Sequence, residues 1–142
     1  MVFRLFNYCC FYFSIYTLEI TAKNEIIMLH RSDFLRELKE TFPELTKDIN
    51  KQGGLLHFEM TVFSLFVEQQ IKQKNQDIEL NCFQLADKFY RLGNSKLKNA
   101  IDVSFLEPLL ILKTEKWAFD LLPQTSKQLF LAFHGESFLL KH

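Results

Sequence analysis

After Met28, oily side chains return once per helical turn, and each run of them is closed by a residue that ends or begins helices. That rhythm constrains the fold more than any other feature, because a strand would need alternation with a period of two. Ser32 or Asp33 can cap a first helix reaching Thr41, with Phe34, Leu35, Leu38 and Phe42 as its apolar stripe. Pro43 restarts the chain, and Glu44 to about Lys51 forms a short second helix through Leu45 and Ile49, ended by Gly53 and Gly54. The run from Leu55 to about Lys74 is the most hydrophobic. Phe58, Val62, Phe63, Leu65, Phe66 and Val67 cover most of its circumference, which predicts the central helix of a bundle, buried all round.

Asn75 to Asp77 reads as a turn, with Asp77 capping a helix that carries Cys82, Leu85, Ala86 and Phe89 and stops at Gly93 and Asn94. Ser95 can cap the next helix, Lys96 to about Leu112, which Pro108 bends or shortens. A last helical region starts near Thr114 with Trp117, Phe119, Leu121 and Leu122. Pro123 breaks it, and it resumes around Ser126 with Leu129, Phe130 and Phe133 before ending near Gly135. The tail from Phe138 to Leu140 either docks or frays. Short loops make consecutive helices antiparallel neighbours. The expected fold is all-α, one bundle of about five helices over residues 28–142, long enough to bury one substantial core.

Residues 1–27 differ in kind. The first 22 hold three of the four tyrosines, four phenylalanines and two of the three cysteines, with only Arg4 and Glu19 charged. Leu5 to Leu18 falls short of the roughly 20 apolar residues of a membrane span, and the site around Thr21 and Ala22 is a poor signal-peptide site. Three readings remain: translation beginning at Met28, an authentic strand or short hydrophobic helix packed on the domain, or an export leader. A tether at a membrane interface through Phe3 to Ile20 is a weaker fourth. Adjacent Cys9 and Cys10 lack the C-x-x-C spacing of a structural metal site. Cys82 alone cannot make a disulfide within the body and reads as a small core residue.

Lysine plus arginine number 17 and aspartate plus glutamate 17, so the chain lacks the positive field with which phosphate-backbone binders collect anions. Lys72 and Lys74, near a helix end, read as dipole contacts rather than a nucleic-acid patch. The expectation is a cytoplasmic protein without cofactor or metal, not bound to nucleic acid or membrane, monomeric or homodimeric, with a possible protein partner.

Polar residues in otherwise apolar helix phases are the candidates for chemistry. His57 and Glu59 are two apart and cannot share a helix face, so they do not form the i, i+4 pair of a zinc protease helix. Asn99 with Asp102, and Ser104 with Glu107, are three apart and can each face one groove, and Asp87 on the preceding helix could meet one of them. A carboxylate buried there needs donors or a shifted pKa, which makes the set a structural network, a partner-binding surface or an acid-base site. Spacing alone does not bring His57, Asp87 and Glu107 into contact. No phosphate loop, nucleophile elbow or cysteine ligand array accompanies them.

The segments Phe42-Pro43-Glu44-Leu45, Gly54-Leu55-Leu56-His57 and Asn99-Ala100-Ile101-Asp102-Val103-Ser104-Phe105-Leu106-Glu107 resemble a family of small, all-helical bacterial domains of unknown function. The resemblance covers about Leu29 to Leu131 and leaves the first 27 residues outside. It implies Asn99, Ser104 and Glu107 as family positions, and this chain departs from the pattern by placing Pro108 after the glutamate. Some small helical domains of this type look like immunity proteins that neutralise toxins of competing bacteria. Two functions follow as expectations. One is a non-enzymatic protein-interaction domain, immunity or antitoxin-like, anchored by residues such as Asn99, Asp102, Ser104, Glu107, Trp117 or Asp120. The alternative is a small hydrolase or metal-dependent enzyme using His57, Asp87 and Glu107.

Overall fold

The computed structural model describes residues 27–141, and the expectations for the apolar segment before them, including Cys9, Cys10 and the Phe3 to Ile20 tether, lie outside the described residues. Among the described residues seven α-helices form an all-helical bundle: α1 Arg31–Thr41, α2 Thr46–Asn50, α3 Leu56–Lys72, α4 Gln76–Leu92, α5 Ser95–Ile101, α6 Lys116–Leu121 and α7 Gln124–His134. Among the described residues the only extended pairing is one isolated parallel bridge, Leu29 with Gly93. It is made by Leu29 N–H donating to the Leu92 carbonyl at 2.8 Å and Asn94 N–H donating to the Leu29 carbonyl at 2.9 Å. The segment before α1 is thereby pinned to the α4–α5 turn. Gly93 is buried there, and a Cβ at this position would stand 2.3 Å from the Phe89 carbonyl oxygen, so close packing rather than a left-handed backbone requires the glycine.

The count exceeds five because the punctuation divides the chain more finely than the apolar rhythm does. α1 begins at Arg31, earlier than Ser32 or Asp33 as caps would allow, and Asp33 in its first turn accepts the His30 N–H at 3.0 Å. Asn75, not Asp77, precedes α4. The turn needs a left-handed residue, supplied by Lys74 at φ 57°, and Asn75 follows with its side chain donating to Gln70 Oε1 at 2.7 Å. Asn94, not Ser95, caps α5: its side-chain oxygen accepts the Leu97 N–H at 2.9 Å, satisfying an amide that the helix cannot.

The helix expected from Lys96 to Leu112 is not continuous. α5 stops at Ile101 and Asp102–Leu106 widens into a π-helical turn, in which Glu107 N–H reaches back five residues to the Asp102 carbonyl at 3.0 Å. Pro108 brings no N–H to continue the ladder, and the chain turns before a short 3-10 segment, Leu110–Lys113. At the other proline, Leu122 is extended (ψ 136°), as a residue before proline prefers, and this separates α6 from α7. α7 ends at Gly135, φ 75°. The tail docks through Phe138, whose ring lies edge-on to Phe119 and Phe130 at 5.5 and 5.8 Å, while Leu140 stays exposed.

The core is aromatic. Phe63 on α3 stacks on Phe105 of the π turn at 4.8 Å and meets Phe34 of α1 at 6.0 Å, while Phe34 meets Phe89 of α4 edge-on at 5.3 Å. α3 packs against α2, α4, α5 and the π turn and buries Met60, Phe63, Val67 and Ile71. Burial of α3 on every side, as its sequence predicts, is not what the fold does. Leu55, just before the helix, is 56 % exposed, and Phe58 and Leu65 are 58 % and 61 % exposed. Its neighbours cover the other flanks and leave that line open among the described residues. Phe63→Ala is expected to cost about 4 kcal/mol in urea denaturation, whereas Phe58→Ala is expected to stay within about 0.5 kcal/mol of the parent.

Candidate functional site

Of the polar residues singled out by sequence, His57 and Ser104 meet through their side chains, a pairing outside the expected catalytic set. His57, in the first turn of α3, shares a 2.6 Å hydrogen bond between Nδ1 and Ser104 Oγ on the π turn. Two turns further along α3, Ser64 Oγ donates to the Phe105 carbonyl at 3.0 Å. Together these bonds fasten α3 to the π turn and satisfy polar groups that the widened helix brings inside. Ser104 is buried, Glu107 half-buried and Asn99 exposed. Asp102 is half-buried, and burial raises its carboxyl above the usual range.

Of the other two members of the expected catalytic set, Asp87 is engaged elsewhere by its side chain, and Glu107 is held through its main chain. Asp87 accepts from Arg91 Nε at 2.8 Å through Oδ2, four residues along the same helix, while its Oδ1 is buried without a partner. The Glu107 carbonyl accepts from His134 Nε2 of α7 at 2.9 Å. Among the described residues no hydrogen bond joins any two of His57, Asp87 and Glu107, and no group of three histidine, cysteine, aspartate or glutamate residues could hold a metal. The His57–Ser104 pair is one half of a nucleophilic apparatus. A carboxylate orienting the other histidine nitrogen, the usual third member, is not present among the described residues. Trp117 donates its indole N–H to Glu115 at 2.8 Å, and Asp120 pairs with Lys116 at 2.6 Å.

Two carboxylates lie deeper, Glu59, weighed in the sequence only beside His57, and Glu79, which sequence reasoning passed over. Glu59 is 2 % exposed and accepts both the Nε and an Nη of Arg31, the former at 2.7 Å, in a two-pronged ion pair joining α1 to α3. Glu79, in the first turns of α4, is fully buried, and neither of its oxygens has a hydrogen-bond partner. Burial pushes its carboxyl up to about 7. Cys82, one turn on, is also fully buried, and its thiol is raised first by burial and then by the negative charges of Glu79 and Glu44. Both glutamates have a sequence signal in their helix phase: Glu59 keeps step with Phe63 and Val67, and Glu79 with Cys82 and Ala86.

Beside the open line of α3 lies a groove of about 350 Å³ between α2 and α3. Its walls are Leu45, Val62, Leu65 and Phe66, with Asp48 and Gln69 on the rim. A ridge of exposed apolar side chains next to an apolar groove is the usual form of a protein-binding surface.

The family model described as "Domain of unknown function (DUF7674)" matches residues 35–136. The chain belongs to that family. The match runs from within α1 past the end of α7 and so takes in the π turn, the His57–Ser104 bond and the open face of α3. No curated protein and no solved structure matches the chain.

Two measurements follow from the buried carboxylates. Glu79 holds its proton in the folded chain up to about pH 7 but loses it near pH 4.5 when unfolded. The folded state therefore binds the extra proton across that window, so stability falls as pH rises through it, by on the order of 3 kcal/mol, and levels off above it. In Glu79→Gln this part of the slope is expected to vanish in urea midpoints taken from pH 4.5 to 8. Arg31→Met, which strands the Glu59 charge in the core, is expected to cost about 2 kcal/mol at neutral pH in the same assay.

Proposed function

We propose that this domain is a non-enzymatic protein-interaction module that receives its partner on the open face of α3. The observation that carries this reading is the line of Leu55, Phe58 and Leu65, each more than half exposed, beside the groove walled by Leu45, Val62 and Phe66. Keeping three large apolar side chains in water forgoes roughly 1 kcal/mol or more of burial for each, a cost that binding recovers. The polar candidates fit a supporting part. His57 and Ser104 hold the start of α3 against the π turn, and Asp48, Gln52 and Gln69 give the groove beside the apolar line a polar rim.

The finer reading is an immunity or antitoxin-like factor, working in the cytoplasm, where the free and buried Cys82 suits a reducing compartment. In such a factor the apolar line supplies affinity by exclusion of water, and the rim supplies orientation. No helix among the described residues is long and apolar enough to cross a membrane.

The test is site-directed photocrosslinking of the full chain in its native host, with a benzophenone amino acid replacing Phe58 or, on the exposed side of α1, Glu40. Light-dependent protein adducts are expected from position 58 and not from position 40, and a toxin found in the adduct supports the finer reading. An absence of adducts at 58, or equal yield at 40, overturns the assignment of the surface.

A further inference from the structure

At the start of α4, from Gln76 to Asn81, Glu79 is the one side chain fully withdrawn from water. Ile78 and Leu80 beside it are half-buried, and Gln76, Asp77 and Asn81 are exposed. The regular core contacts of this helix begin only at Cys82 and continue through Phe83, Leu85, Ala86 and Phe89. Apart from Ile78 and Leu80, the end of the helix is thus docked through a carboxyl whose two oxygens have no hydrogen-bond partner.

The same end is loosely fastened. No side chain caps its first turn, because Asn75 donates its side-chain amide to Gln70 and Gln73 instead. Lys74, just before it, holds a left-handed backbone (φ 57°) that a residue with a Cβ adopts at a cost. An open hollow of about 440 Å³, lined by Lys74, Asn75, Gln76, Asp77 and Ile78, brings solvent alongside this turn.

No charge on the surrounding elements compensates an ionised Glu79. The titratable groups linked to it are Cys82, which feels its charge, and Glu44 on the 3-10 turn Pro43–Leu45, whose charge reaches the same thiol and has the same sign. On α3 Glu68 is paired with Lys72, on α6 Lys116 with Asp120, and Glu37 of α1 with Lys88. Lys96 and Lys98 of α5 offer Glu79 no hydrogen bond. A carboxyl in such a place keeps its proton or moves to water.

We propose that the start of α4, from Gln76 to Asn81, is a proton-operated latch: it stays docked while Glu79 is protonated, and loss of that proton to solvent swings it out on the Lys74 turn and uncovers the Cys82 thiol. The rest of α4 stays in place, since Phe83, Ala86 and Phe89 are packed in the core without Glu79. Docked, Glu79 loses its proton near pH 7, and undocked near pH 4.5. Between these values the docked form holds the extra proton, so the undocked fraction rises about tenfold per pH unit, and it levels off above them.

The test alkylates the full chain with iodoacetamide and reads Cys82 by mass spectrometry, apart from Cys9 and Cys10. Only the thiolate reacts, so an accessible thiol by itself gains about tenfold in rate per pH unit below its pKa. The latch multiplies this by a second factor. From about pH 5.5 to about pH 6.5 the Cys82 rate is expected to rise about a hundredfold in the parent and about tenfold in Glu79→Gln, and above about pH 7.5 the two are expected to run in parallel. Glu79→Met, a second uncharged variant, is expected to follow Glu79→Gln. Urea below the unfolding transition is expected to change the parent rate little, because a local opening exposes little surface. An equal tenfold rise in parent and variants, no reaction of Cys82 across the range, or a rate that climbs with urea as steeply as global unfolding overturns the latch.

Discussion

Phe63 holds the middle of this molecule. Its ring stacks on Phe105, meets Phe34 at an angle and lies 6.3 Å from Phe42, so α1, its C-terminal end, α3 and the π turn all touch one side chain. Aromatic pairs of this kind add geometric preference to burial, because offset stacking and edge-on contact suit the ring quadrupole better than random packing does. The consequence is angular. A core of leucines would tolerate small rotations of α3, whereas stacking at an interplanar angle of 15° resists rotation of α3 against the π turn. That orientation leaves the Phe58 and Leu65 line pointing away from the core.

The polar bonds reinforce the same orientation from the edges. Arg31 and Glu59 tie α1 to the first turn of α3, His57 and Ser104 tie that turn to the π segment, and Ser64 reaches the Phe105 carbonyl two turns further on. Each joins elements distant in sequence, and each removes a polar group from a place where it would otherwise be unpaired. Glu79 is the exception, a carboxyl with no partner in a closed interior, able to stay there near neutral pH by keeping its proton. The core is thus rigidly specified around Phe63 and weakest, in its sensitivity to pH, at the start of α4.

The helical class, the punctuation at Pro43, Gly93 and Pro123, and Cys82 as a core residue were legible because each rests on a local rule of backbone geometry or on a strong apolar phase. The caps were less so. Ser95 and Asp77 are good capping residues, yet Asn94 and Asn75 stand one and two positions earlier, where the preceding turn delivers the chain. The π turn was hidden because widening a helix by one residue leaves the apolar pattern almost unchanged while it rotates everything after it. Within that turn Ser104 faces inward and meets His57, a contact that spacing along the chain does not reveal. The buried Glu59 was readable in phase but not in partner, since Arg31 lies 28 residues away and only the fold brings the two together.

The exposed line on α3 shows the limit of hydrophobic periodicity as evidence of burial. A helix apolar over most of its circumference satisfies the pattern of a central element whether its last flank is covered by the same chain or left open. Sequence counts the oily residues without saying which protein covers them. In this fold α2, α4, α5 and the π turn surround α3 on its other sides, and the core already closes with Met60, Phe63, Val67 and Ile71 facing inward. Leu55, Phe58 and Leu65 contribute little to holding the domain together, because they are more than half in water in the folded state. The two faces of α3 are therefore separable. Substitutions on the inner one act on folding, whereas substitutions on the outer one leave the closed core untouched.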